Sequence, residues 1–105
     1  MSLIKTTTIQ LLICLPLFFP ALAIAANTFE GQAQYQRYCV MCHGAKGIST
    51  MPSAASFKRG DGLFQSDISL LKRIKSGKNA CPSYQGLLKD QQIFDVIAYL
   101  RTLYP

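Results

Sequence analysis

Acids and histidines are scarce in this chain of 105 residues. Only five residues are acidic against eleven lysines and arginines, which gives a formal net charge of +6 at pH 7. His43 is the single histidine, so a zinc site built on it and two nearby cysteines would lack a fourth ligand. The chain also lacks strand-like alternation, internal repeats and low-complexity segments. These absences argue against β and repeat architectures and leave room for one small domain.

No apolar run is long enough for a convincing membrane span. The longest run, from Ile9 to Leu22, is interrupted by Pro16 and Pro20 and is short for crossing a bilayer. Lys5 precedes it and the small residues Ala23–Ala26 follow. This order predicts a secretory signal peptide cut near residue 25, with an uncleaved membrane anchor as the alternative.

Cleavage would leave a domain over residues 26–105, exported to the periplasm. About 80 residues rarely fold on an apolar core alone, so we expect a cofactor or a covalent staple to help fill this fold. The loss of Lys5 lowers the formal charge from +6 to +5. A basic exported domain is suited to an acidic protein partner. Export disfavours nucleic acid, and membrane contact is expected only through the signal peptide or an anchor.

Three helices are predicted along the domain. The first covers Thr28–Tyr38, with Asn27 or Thr28 as its N-cap. The second begins at Ser66 or Asp67 and ends at Gly77. Asp90 is expected to cap the third. Inward positions are predicted at Ile68, Leu71 and Ile74 in the second helix and at Ile93, Val96, Ile97, Leu100 and Leu103 in the third.

The chemistry lies in the segment Cys39-Val40-Met41-Cys42-His43. In a CxxCH sequence the two thiols can add to the vinyl groups of haem while the adjacent imidazole reaches the iron. Competing interpretations are a redox dithiol, a partial zinc site and a structural disulfide. Cys81 is the third cysteine of the predicted mature chain, and an odd number outside the cytoplasm cannot all pair internally.

The sequence resembles the class I monohaem c-type cytochromes of the small bacterial kind. QYQRYCVMCHG resembles the first helix and haem site of that family, and LLKDQQIFDVIAYLRTL resembles its last helix. The resemblance implies an all-α fold of three or more helices around one covalent haem c, with His43 as an axial ligand. It also implies a close crossing of the first and last helices at Gly31, Tyr35 and Tyr99, and an electron carrier rather than an enzyme.

Two family positions remain. The family has a proline about ten residues beyond the haem histidine whose carbonyl accepts the imidazole N–H, and Pro52 matches it. The usual axial methionine is replaced by Cys81, which becomes the expected sixth ligand. The alternatives are Lys78, water or an empty sixth position, or a disulfide of Cys81 with a partner chain or a small thiol. Met51 is expected to lie away from that side. A thiolate favours iron(III) and should lower the reduction potential relative to a methionine thioether.

The function that these features favour is periplasmic electron transfer. Basic residues on and after the second helix could steer docking to an acidic redox partner, although they could also serve only solubility; they are Lys72, Arg73, Lys75 and Lys78. One alternative is a haem enzyme, or a subunit of one, in thiosulfate oxidation, because thiolate-ligated c-type haems resemble those of such enzymes. Another is a redox-sensing or gas-sensing haem subunit.

Overall fold

The structure is a computed structural model that describes residues 25–105, so the predicted signal peptide lies outside the described residues. Four α-helices follow in order: α1, Thr28–Tyr38; α2, Val40–His43; α3, Asp67–Ser76; α4, Asp90–Leu103. A 3-10 helix covers Phe57–Arg59. Within residues 25–105 the only β-type pairings are two isolated bridges, which confirms the predicted all-α class. No helix in that range is long and apolar enough to cross a membrane.

Local side-chain contacts explain where the helices begin. The Asn27 side chain accepts hydrogen bonds from the N–H groups of Phe29 and Glu30 at the start of α1. Ser66 caps α3 in the same way. The prediction for α4 was wrong by one residue, because Asp90 is already helical and Lys89 precedes it. There the N3 side chain of Gln92 accepts from the Lys89 N–H at 2.8 Å, so Asp90 needs no capping role.

The predicted crossing of α1 and α4 is confirmed. A Cβ atom on Gly31 would lie 1.9 Å from the Asp95 carbonyl oxygen, so only glycine permits this approach of the two backbones. Tyr35 is fully buried beside it, and its ring centroid lies 5.3 Å from that of Tyr99. The Tyr35 hydroxyl donates to the Gly44 carbonyl at 2.6 Å, which ties the crossing to the segment after the CxxCH motif.

The apolar stripe of α4 forms the centre of the core. Its residues Ile93, Val96, Ile97 and Leu100 are buried, as predicted. The prediction for α3 was partly wrong, because Ile68 is 54% exposed while Leu70 is buried beside Leu71. Steps of three residues drift by about 60° per step around a helix of 3.6 residues per turn. A stripe of 68, 71 and 74 therefore rotates out of the core, and positions 70, 71 and 74 share the inner face.

Candidate haem site

One cavity of about 310 Å³ brings together the residues that carry the predicted chemistry. Its lining includes Cys39, Cys42 and His43 from the CxxCH motif and Cys81 from the segment before α4. The remaining wall is largely apolar and comes from α1, α3, α4 and the segments between them. Among its members are Tyr38, Leu70, Ile74, Tyr84, Leu88, Ile93, Val96 and Leu100. An apolar cavity with a few metal-binding side chains suits a flat, largely apolar cofactor.

The end of α1 and the short helix α2 place the motif on the cavity. Cys39 closes α1 by donating its N–H to the Tyr35 carbonyl at 2.9 Å. One helical turn then follows, in which the His43 N–H donates to the Cys39 carbonyl at 3.0 Å. Gly44 ends this turn with φ 81°, and a Cβ there would lie 1.9 Å from the Ile48 carbonyl oxygen. The turn therefore holds the two thiols and the imidazole on one short, rigid stretch.

The imidazole of His43 is fixed by a backbone carbonyl. Its Nδ1 lies 2.8 Å from the Ala55 carbonyl oxygen. A carbonyl can only accept, so Nδ1 donates, and Nε2 is left with the lone pair that a metal needs. A hydrogen bond of this kind orients a metal-binding histidine and raises its basicity.

The assignment of that carbonyl to Pro52 was wrong. Pro52 is exposed and lies in a turn closed by the Ala54 N–H and the Met51 carbonyl at 3.1 Å. The chain returns to the imidazole only at Ala55. Any residue can supply a backbone carbonyl, so no side chain in the sequence marks the position.

Burial raises the pKa of the Cys39 thiol to about 12, and the nearby Cys81 and Cys42 add to the shift. Cys39 and Cys81 line the same cavity. The structure thus brings Cys81 to the CxxCH motif across more than 35 residues of sequence.

Cys81 closes a tight turn. Lys78 and Cys81 exchange both backbone hydrogen bonds at 3.0 Å, and Asn79 adopts the left-handed conformation with φ 54°. Gly77 precedes the turn at φ 69°, and a Cβ there would lie 2.7 Å from the Cys81 carbonyl oxygen. We call residues 77–84 the cysteine loop. Its half-buried thiol packs against the apolar cluster that contains Tyr84.

Two further contacts hold the cysteine loop against the helices. The Ser83 hydroxyl donates to the Lys75 carbonyl at 2.5 Å, at the end of α3. The Tyr84 hydroxyl donates to the Tyr38 carbonyl at 2.9 Å, at the end of α1, and burial raises the pKa of Tyr84 to about 12. Tyr84 was not predicted to belong to the site. Its position two residues after Cys81-Pro82 was the available signal.

The two methionines of the described range differ in place. Met41 is 91% exposed, so its thioether lies away from the cavity. Met51 is half-buried and contributes to the cavity lining, which places it nearer the site than the sequence analysis expected. Lys78, the other alternative ligand, lines the same cavity.

The basic residues around α3 are not equivalent. Lys75 pairs with Asp90 at 2.8 Å, so much of its charge is neutralised. Lys72, Arg73 and Lys78 are exposed and make no ion pair within the part of the chain that the structure describes. Arg73 and Lys78 also line the cavity. Unpaired positive charge therefore borders the cavity beside the cysteine loop.

Comparisons with known proteins find similar sequences over most of the described residues. The family model "Cytochrome C oxidase, cbb3-type, subunit III" matches residues 26–100. Cytochrome c6 of Nostoc sp. is 31% identical over 86 residues, which cover 78% of this chain and 76% of that protein. Cytochrome c6 of Synechococcus elongatus is 33% identical over 82 residues, covering 75% and 86%.

Two solved structures have a fold similar to that of this chain. Cytochrome c6 of the diatom Phaeodactylum tricornutum superposes with a TM-score of 0.61 at 25% identity, covering 73% of this chain and 93% of the diatom protein. The KustC0563 c-type cytochrome superposes with a TM-score of 0.64 at 20% identity, covering 71% and 98%. The second likeness concerns the fold alone.

Proposed function

We infer the function from the family, because this chain belongs to the class I monohaem c-type cytochromes. On that premise we propose that it carries single electrons in the periplasm, with His43 and Cys81 as the two iron ligands. Membership in the family implies one covalently bound haem c, and the relatives named cytochrome c6 are electron carriers rather than enzymes. When bound, the haem supplies a one-electron iron(III)/iron(II) couple. The rest of the proposal concerns what the residues of this chain do.

The thiols of Cys39 and Cys42 are proposed to bind the haem covalently, and the Nε2 of His43 to bind the iron. The support is that all three line one cavity and that the Ala55 carbonyl engages Nδ1, leaving Nε2 free. Two thioether bonds would hold the cofactor in a domain that is too short to build a large apolar core.

The observation that carries the proposal for Cys81 is its place on the same cavity as the CxxCH motif. Ser83 and Tyr84 tie the cysteine loop to the ends of α3 and α1, which supports a fixed backbone beside the proposed ligand. A thiolate is anionic and favours iron(III) over iron(II). We therefore expect a lower reduction potential than the Met/His ligand set gives.

The proposed location is the periplasm, reached through a signal peptide over residues 1–25. Two observations support a domain that starts just after the predicted cut. The family model begins to match at residue 26, and the Asn27 N–H is already bound to the Asp95 side chain at 2.8 Å. Export makes nucleic acid an improbable partner, and we propose membrane contact only through the signal peptide, or through an anchor if it is not removed.

The proposed partner is an acidic redox protein that docks beside the cysteine loop. Lys72, Arg73 and Lys78 provide unpaired positive charge there, and Arg73 and Lys78 reach the cavity itself. Charge of this kind speeds encounter without requiring tight binding, which suits a carrier that must also leave.

Optical and electron paramagnetic resonance spectra of the oxidised holoprotein test the ligand assignment. We expect a low-spin thiolate spectrum from the wild type. Cys81→Ala should lose it and bind added imidazole or cyanide more readily. Met51 and Lys78 line the same cavity, so Met51→Leu and Lys78→Ala are the matched controls. Because neither residue is the proposed ligand, the spectra of these two variants should equal that of the wild type. A wild-type spectrum in Cys81→Ala, or a lost spectrum in either control, would show that another residue is the ligand.

A further inference from the structure

Phe57 stacks on the imidazole of His43. The two ring centroids lie 4.5 Å apart and the ring planes meet at 24°. Phe57 is half-buried and packs against the apolar cluster of Tyr35, Leu63, Val96 and Leu100. Its ring also meets that of Tyr35 edge to face, with centroids 6.3 Å apart. The phenyl ring is thus supported by the α1–α4 crossing on one side and faces the imidazole on another.

The stack adds a constraint that the hydrogen bond does not provide. The bond from Nδ1 to the Ala55 carbonyl at 2.8 Å fixes one edge of the imidazole, but the ring can still tilt about that bond. A flat neighbour at stacking distance opposes the tilt, because aromatic faces prefer particular offsets and angles. An edge and a face held together define the plane of the ring.

The segment that carries both constraints is itself held in place. The Ser56 N–H donates to the Asp61 carboxylate at 3.0 Å, and the Ser56 hydroxyl accepts from the Ser49 N–H at 2.9 Å. Ala55 and Phe57 flank this anchored residue. The carbonyl and the phenyl ring therefore approach the imidazole from one anchored segment.

We propose that Phe57 is a positioning residue that sets the plane of the His43 imidazole on the haem iron. The proposal rests on the proposed function, since it assumes that Nε2 of His43 binds the iron. The plane of an axial imidazole decides which iron d orbital it overlaps, and outer contacts of this kind tune a metal through its ligand. Phe57 should thus shape the electronic structure of the oxidised haem without touching the iron.

The test compares the oxidised holoprotein of the wild type with Phe57→Leu, which fills similar space without a flat face, and Phe57→Tyr, which keeps the face. The matched control is Phe94→Leu, because Phe94 is a half-buried phenylalanine in the other apolar cluster. The readouts are the g values from electron paramagnetic resonance and the spread of the haem methyl shifts from nuclear magnetic resonance. Thermal unfolding of all four proteins is measured alongside.

We expect Phe57→Leu to change the g values and the methyl spread, Phe57→Tyr to restore them, and Phe94→Leu to match the wild type even if it lowers stability. Unchanged spectra in Phe57→Leu, or equal changes in Phe94→Leu, would overturn the proposal. If Phe57→Leu does not hold haem, Phe57→Met replaces it with the same expectations. Failure of the proposed function is seen separately, because the wild type would then show no histidine-bound haem.

Discussion

Replacing Gly77 by alanine should disturb the sixth ligand from outside the metal site. Gly77 has φ 69° and ψ 170°, a region that only glycine occupies readily, at a cost of about 1–3 kcal/mol for other residues. The added Cβ would also lie 2.7 Å from the Cys81 carbonyl oxygen, the Pro82 carbonyl carbon and the Ser83 nitrogen. All three atoms are backbone, so the cysteine loop must move. Overpacking of this kind adds about 1–3 kcal/mol.

Gly86→Ala is the matched control for this prediction. Gly86 also has a positive φ of 81°, but a Cβ there meets nothing within 4 Å, so only the conformational cost of about 1–2 kcal/mol remains. We expect Gly77→Ala to lose about 2–6 kcal/mol in denaturant unfolding of the holoprotein and to alter the optical spectrum of the oxidised haem. Gly86→Ala should lose less and keep the wild-type spectrum. Equal losses with two unaltered spectra would refute the reasoning.

Four further predictions follow from other contacts. Replacing Cys39 and Cys42 by alanine should yield a chain that holds no haem by visible absorbance. Circular dichroism should show that this chain is mostly unfolded, because the remaining core is small. Because the pKa of Tyr84 is raised to about 12 by burial, its contribution to stability should be full below about pH 10. It should then be lost as the pH rises through 12, and Tyr84→Phe should flatten this decline. Asp95→Ala should cost about 1–3 kcal/mol in urea unfolding, since the Asp95 carboxylate accepts from the Asn27 N–H and the Gln91 side chain. Electron transfer with the physiological partner should slow as salt rises, since exposed charges are screened beyond about 8 Å at physiological ionic strength. Arg73→Ala should weaken that dependence. Lys46→Ala should not, because Lys46 is exposed but does not line the cavity.

The parts of the fold that follow from local patterns were predictable from sequence. The bounds of α1, the Ser66 cap and the stripe of α4 all depend on residues within one or two turns of each other. The Gly31 crossing was predicted from the resemblance to the family, whose first and last helices cross at a glycine. Ile68 failed because three-residue spacing resembles helical periodicity over two steps while rotating away from the inner face.

The residues that line the cavity were predictable where a short motif marks them and not where the path of the chain decides them. The CxxCH spacing identifies the sulfurs and the imidazole from five consecutive letters. The carbonyl that binds His43 belongs to Ala55 rather than Pro52, since the path of the chain alone decides which carbonyl returns to the ring. The Phe57 stack and the Tyr84 tether likewise depend on long-range packing that no local spacing encodes.

The reduction potential of Cys81→Met, measured beside that of the wild type by redox titration, tests the ligand set most directly. The variant removes an anionic donor that favours iron(III) and supplies a neutral thioether at the same position. We expect the potential to rise and a Met/His spectrum to replace the thiolate spectrum. A variant whose potential and spectrum both equal those of the wild type would show that Cys81 does not bind the iron.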